Sequence, residues 1–372
     1  MRLPISLALI AITLMTPSAA LAQSPAFVRL EQAINAAQAQ DPTGGVSFGI
    51  VRDGRLVESG HVGFANVADQ RPAGSQTVYR IGSVTKAMTA LMLMQLVEQG
   101  TVRLSDPVAI YLPEIAAVRG KPDRSPPITL IQLATHTAGL AAEPDVPGFD
   151  VGPVDAWEEQ LLAALPHSSY QTEPGTRFAY SNLGYAILAA ALARAAGEDY
   201  ETYVARHIFL PLGMTHSSFR LTDRSGLAIG YMVDDGQVSS SQSEGELVGR
   251  GYKLPVGGVF TTLDDLAKFV AFQMGDGPAG VLEPATLQRM VLLLKTVDPG
   301  MGQGYGVGFQ LFTDGNVVLQ GHAGGMPGYR ALEVFDRESR TGYVVLRNSV
   351  GGGFGDPVFS IFQSLNGAPT GE

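Results

Sequence analysis

The 372-residue chain contains no cysteine. Disulfides, thiolate metal sites and thiol nucleophiles are thereby excluded together. Charge is also scarce, at 16% of residues, with 25 Lys and Arg against 35 Asp and Glu for a net −10. No Lys/Arg run is present that could track a phosphate backbone, so nucleic acid is not an expected partner. The histidines are scattered at 61, 136, 167, 207, 216 and 322, without an HExxH pattern. Neither a metal nor any other cofactor is expected from such spacing. Low charge with 45% hydrophobic residues and a mean hydropathy of +0.13 is the opposite of a disordered composition. The 45 glycines show no period and read as turn punctuation.

What is present begins with a three-part leader. Arg2, the apolar stretch LPISLALIAITLM and the small-residue segment ending Ala20-Leu21-Ala22 form the pattern of a cleavable secretory signal over residues 1–22, too short for a comfortable membrane span. Cleavage after Ala22 would leave 24 basic and 35 acidic residues, hence −11. The expected working protein is acidic and periplasmic or secreted, with no stable membrane span after cleavage.

Apolar positions Phe27, Leu30, Ile34 and Ala37 at helical spacing predict an opening helix over Ala26–Ala39. Two strand-like runs then flank Asp53-Gly54, a tight-hairpin signal. Helical patterns follow at Val84–Glu98, Trp157–Leu165 and Ala186–Ala196, with another after Thr262 as its N-cap. The last hundred residues return to strands in YGVGFQLF, GNVVLQGH, RALEVFD and TGYVVLRN. Strands at both ends around a helical middle imply an α/β (α+β) fold in one catalytic domain over 23–372. An antiparallel sheet flanked by helices would come from about 23–80 and 250–372, and a mostly helical lobe from about 81–249.

Three stretches could carry chemistry. In IGSVTKAMTA, Ser83 and Lys86 stand three apart at a helix start, on one face. A lysine whose pKa is lowered could take the serine proton, and the Ser83 N–H could hold an oxyanion. The same residues also read as an N-capping serine followed by a solvated lysine. In PGTRFAYSNLGY, a lysine could depress the Tyr180 phenol into a general base, and the Asn182 amide could orient a substrate carbonyl. A core tyrosine in an Asn-capped turn is the plain alternative. In QGHAGGMPGY, small residues after His322 would let a substrate backbone lie along a strand edge, with Gly325 N–H as a second oxyanion donor. A glycine-rich turn with an incidental histidine fits as well.

Ser83-Val-Thr-Lys86, Tyr180-Ser-Asn182 and His322-Ala323-Gly324, in this order, resemble the serine β-lactamase and penicillin-binding-protein superfamily. The resemblance is nearest to its class C branch, with D,D-carboxypeptidases, D-aminopeptidases and β-lactamase-fold esterases. ITLIQLATHTAGL, PLGM and GGVFTTLDDLAKF extend it over nearly the whole mature chain. The resemblance implies an acyl-enzyme on Ser83, with Lys86 and Tyr180 sharing the base role and Ser83 and Gly325 N–H groups as oxyanion hole. Asn182, His322, Ala323 and Gly324 would bind substrate, and Asn182 would also help to position Lys86. The class C β-lactamases usually carry lysine at the His322 position, and histidine there would titrate near neutral pH.

Ala323 and Gly325 stand where relatives that recognise a free carboxylate commonly place hydroxyls. This favours hydrolysis of esters or peptide and amide bonds over D,D-carboxypeptidase or β-lactamase activity, while a non-turnover penicillin-binding protein or an acyltransferase stays open. The expected partner is accordingly a small ester, peptide or β-lactam-like substrate. Arg330 reads more simply as a lone exposed arginine than as a carboxylate anchor. Gly45-Val-Ser47-Phe-Gly49 matches the nucleophile elbow GxSxG but lacks its strand–turn–helix context, so Ser47 reads as an ordinary strand residue. His136 in LATHTAGL has no evident acidic partner and reads as structural. GQGYGVG from Gly302 fits no nucleotide-binding pattern.

Overall fold

The opening helix α1 (Pro25–Gln40) starts where Ser24 Oγ accepts from Phe27 N–H at 3.2 Å with proline at the first position, the favoured cap and first-turn chemistry. It buries Phe27, Leu30 and Ile34. The structure is a computed structural model that describes residues 23–292, 304–314, 316–355 and 357–366. The expected leader, Met1–Ala22, lies outside the described residues.

Strands β1 (Gly45–Arg52) and β2 (Arg55–Asn66) are joined by Asp53-Gly54, both at positive φ (49° and 74°), as the hairpin signal requires. β3 (Arg71–Pro72) extends that edge. Far along the chain come β4 (Gly304–Tyr305), β5 (Gln310–Asp314), β6 (Val317–Met326), β7 (Tyr329–Asp336) and β8 (Thr341–Arg347). Among the described residues they form one eight-stranded antiparallel sheet in the order β3-β2-β1-β8-β7-β6-β5-β4. The two ends of the chain meet in the β1/β8 pairing, from Val46 opposite Arg347 to Val51 opposite Gly342.

Each sheet face has its own apolar layer. Phe48, Ile50, Leu332 and Val345 pack against α1 and the helix Pro357–Asn366. The other face meets the remaining helices, which include α2 (Thr85–Glu98), α3 (Trp157–Ala164), α4 (Asn182–Ala196) and α5 (Leu263–Ala271). α2 has no polar face, and every residue from Thr85 to Leu96 is buried; a helix apolar all round belongs in an interior. Thr262 caps α5 as expected, accepting from Asp265 N–H at 3.3 Å.

Three details depart from expectation. α4 begins at Asn182 rather than Ala186, because Ser181 Oγ accepts from Gly184 N–H at 2.9 Å. YGVGFQLF is interrupted between β4 and β5 by a turn at 306–309 that packs on α2. Residues 231–239, expected in the helical part, form a hairpin whose first strand, Tyr231–Asp234, pairs in parallel with Ser349–Gly351.

The α1 C-terminus is locked to the sheet by a buried ion pair. Arg347 Nη2 donates to Asp41 Oδ2 at 2.7 Å, and Nη1 donates to Gln38 Oε1 at 3.0 Å. Asp41→Ala leaves this guanidinium buried and uncompensated. We expect a loss of about 3–5 kcal/mol of unfolding free energy, measured by urea denaturation.

Candidate active site

Ser83 lies in a single 3₁₀ turn, Gly82–Val84, that runs directly into α2. Lys86, in the first turn of that apolar helix, is fully buried. Its Nζ lies 3.0 Å from Ser83 Oγ, donates to Val256 O at 3.3 Å, and sits 4.8 Å from the Tyr180 ring centroid. Burial drives the Lys86 amine well below its usual pKa; Lys253 and Arg250 push the same way against Glu143. Tyr180 lies two residues before α4, close enough for the Ser83 hydroxyl to act on its pKa. The expectation that lysine would depress this phenol is not met. Burial and the Glu143 charge raise Tyr180 well above its usual value, because a phenolate is disfavoured in the same dry surroundings that disfavour an ammonium.

The strand that faces this pair is β6. Met326 and Tyr329 close a two-residue turn, so Met326 and Gly324 exchange hydrogen bonds with β7 and Gly325 N–H points to the opposite edge. On that edge β5 has already ended, opposite Gly321, and Gln310 Oε1 takes up the Ala323 N–H at 2.8 Å. Two residues further on, Gly325 meets the turn carrying Ser83. A Cβ on Gly82 would stand 3.0 Å from Gly325 N, and one on Gly324 only 1.9 Å from Ile81 O and 3.2 Å from Ser83 N. Glycine at 324 is therefore a condition of bringing the Ser83 and Gly325 N–H groups to one place.

His322 requires a correction. It does not titrate near neutral pH: it is fully buried, and burial together with Lys86 lowers its pKa to about 3. Its Nδ1 donates to Ala323 O at 2.6 Å, which leaves Nε2 to accept from Tyr305 OH at 3.0 Å. A neutral imidazole satisfies both contacts. Asn182 also differs from expectation. Its Nδ2 donates to Glu143 Oε1 at 2.6 Å, and among the described residues no hydrogen bond joins it to Lys86. Glu143 in turn accepts from Tyr252 OH and pairs with Lys253 Nζ at 3.1 Å. Arg330, rather than a lone exposed arginine, is half-buried opposite Gly325, with its guanidinium so near that a Cβ on Gly325 would stand 2.5 Å from Nη1.

Sequence reasoning missed Glu143, Tyr252, Lys253 and Tyr305, which join the site from a loop, a 3₁₀ turn at Gly251–Lys253 and strand β4, with no pattern of their own. It set His136 apart from the chemistry, and the structure gives that residue a supporting place. His136 Nδ1 accepts from Ser181 N–H at 3.0 Å while its ring lies 4.2 Å from that of Tyr180. Ser47 is a fully buried residue of β1, bonded to Tyr79 OH and His61 Nδ1, both at 2.9 Å.

His136 and His322 are both held neutral by burial. The unfolded chain, with ordinary histidine values near 6.5, binds more protons below that pH. Their contribution is therefore complete above about pH 6.5 and is lost as pH falls below it, for His322 down to about pH 3, with a slope of about 1.4 kcal/mol per pH unit for each group. Urea unfolding of His322→Asn between pH 4 and pH 7 should show a slope shallower by about one proton than that of the parent.

The Beta-lactamase family model matches residues 30–358. Beta-lactamase-like protein 2 of Dictyostelium discoideum is 31% identical over 301 residues, covering 79% of this chain and 54% of its own length. The D-alanyl-D-alanine-carboxypeptidase/endopeptidase AmpH of Escherichia coli K12 is 34% identical over 214 residues, 56% of this chain and 53% of its own. The match thus spans about half the length of these two relatives. The octameric penicillin-binding protein homologue from Pyrococcus abyssi superposes with a TM-score of 0.72 at 26% identity, over 91% of this chain and 76% of its own. An SxxK serine on a buried helix, facing a glycine-bearing strand edge across YxN, is thus joined to a family match over most of the chain: this protein belongs to the β-lactamase family, within the serine β-lactamase and penicillin-binding-protein superfamily.

Proposed function

We propose that this protein is an exported serine hydrolase that forms an acyl-enzyme on Ser83 and cleaves esters or peptide and amide bonds. The observation that carries this reading is the fully buried Lys86 amine 3.0 Å from Ser83 Oγ. An amine driven toward its neutral form keeps a lone pair for the serine proton at neutral pH. Ser83 Oγ bonds to the substrate carbonyl carbon as its proton passes to Lys86, and Ser83 and Gly325 N–H hold the negative oxygen. Tyr180, protonated at neutral pH, fits the proton relay. It can hand a proton to the departing alkoxide or amine, and the proton that Lys86 took from Ser83 then restores the phenol. Water then adds to the acyl carbon and releases the carboxylic acid from Ser83.

Export rests on the leader pattern at Met1–Ala22. No helix among the described residues is long and apolar enough to cross a membrane.

A second reading, a peptidase for substrates ending in a free carboxylate, is favoured by Arg330 beside Gly325 and by the carboxypeptidase similarity of AmpH. A guanidinium there offers the carboxylate a fork that Ala323 and Gly325 cannot.

Incubation with an activated short-chain ester or a penicillin, followed by intact-mass analysis, should give an adduct that Ser83→Ala abolishes and Ser47→Ala preserves. Lys86→Ala and Tyr180→Phe should each lower kcat by about 10²–10⁴-fold. An adduct retained in Ser83→Ala overturns the assignment. Arg330→Ala separates the two substrate readings. A tenfold or greater rise in KM confined to carboxylate-terminated peptides supports the peptidase reading, whereas equal KM values for these and for neutral esters support the esterase reading.

A further inference from the structure

A second cavity, lined by none of Ser83, Lys86, Tyr180 or Asn182, opens beside the strand that leads into the nucleophile turn. It holds about 220 Å³, or roughly seven waters at liquid density. Its innermost charged groups are Arg80, Arg250 and Glu246, which are 1%, 9% and 5% exposed. Both arginines are directed at the same carboxylate: Arg80 Nη1 lies 3.3 Å from Glu246 Oε2, and Arg250 Nη1 pairs with that oxygen as well. The Arg80 guanidinium also lies near the Phe260 and Tyr329 rings, at 5.4 and 5.8 Å.

One carboxylate cannot serve two buried guanidinium groups. Each carries five N–H donors, and among the described residues Arg80 Nε and Arg250 Nε have no hydrogen-bond partner although both are buried. Charges sum to two positive and one negative, so one buried positive charge is left over. Burial, and after it the field of Arg250, lowers the Arg80 pKa to about 10, as expected of an under-compensated cation. At the rim, Arg220 is served by Asp155 and Glu201. Exposed Arg224 has no ion pair among the described residues. The rest of the wall includes Val154, Phe219, Leu254 and Phe260, which favour a hydrocarbon body over a bare, strongly hydrated ion.

We propose that this cavity is a binding site for a small monocarboxylate with an apolar body, its carboxylate taken by Arg80 and Arg250 beside Glu246 and its hydrocarbon part lying against Phe219 and Phe260. One negative charge completes the count, two guanidinium forks match a planar carboxylate, and a dianion would meet Glu246 at close range.

The test is calorimetric titration of the full chain with sodium benzoate at fixed ionic strength, with acetate and phosphate as comparison probes. Saturable binding of one benzoate, tighter than acetate or phosphate, is expected. Ser83→Ala should bind equally well, which distinguishes this cavity from the proposed catalytic centre. Arg250→Gln should weaken binding about tenfold or more, the scale of a lost hydrogen bond to a charged group. Arg224→Gln, at an exposed position that leaves the interior intact, should weaken it by a smaller, measurable factor. If Arg250→Gln does not fold, Arg224→Gln alone decides. The proposal is overturned by any of four results: no saturable binding, affinity unchanged in the folded arginine variants, loss of binding in Ser83→Ala, or phosphate binding more tightly than benzoate.

Discussion

The burial of one amine is the constraint on which the rest of the site depends. Lys86 projects from a helix without a polar face, and among the described residues its Nζ has only Ser83 Oγ and the Val256 carbonyl as hydrogen-bond partners. Such surroundings penalise the ammonium form, so a residue that would be a cation on a surface helix is driven toward its neutral form next to a hydroxyl. The same dryness keeps Tyr180 protonated and His322 neutral. One physical cause therefore sets three protonation states in the directions that the proposed acyl transfer needs.

Geometry follows from the backbone. The 3₁₀ turn that runs into α2 sets Ser83 beside Lys86, while the Ser181 cap and its bond to His136 fix the approach of Tyr180 and Asn182. The β6 edge reaches Ser83 only because residues 82 and 324 have no side chains to hold strand and turn apart. Residues from three separated stretches meet as a result of packing; preorganisation of this kind reduces what must be rearranged in the proposed reaction.

Local signals survived folding where chemistry was short-ranged. Asp53-Gly54, Thr262 and the apolar face of α1 were readable because a turn, a cap and a periodic stripe are each decided by neighbours within a few residues. The order of Ser83, Tyr180 and His322 pointed to a site through its resemblance to a known family, which needs only the motifs and their sequence and no knowledge of contacts. Whatever depended on distant partners was not legible. His322 looked titratable until the fold surrounded it, Arg330 looked isolated until β7 placed it opposite Gly325, and Glu143 carried no motif by which its bond to Asn182, 39 residues away, could be foreseen.

The most direct test of the central claim is the pH dependence of the single-turnover acylation rate with an activated ester, compared between the parent and Lys86→Arg. If the buried amine is the proton acceptor, the parent rate is already on its plateau at pH values well below 10.5, the ordinary lysine value, and falls only in more acidic solution, while Lys86→Arg loses the plateau at every accessible pH because arginine stays protonated. A parent rate that rises steadily toward pH 10.5, or a Lys86→Arg variant that acylates at the parent rate, contradicts the account.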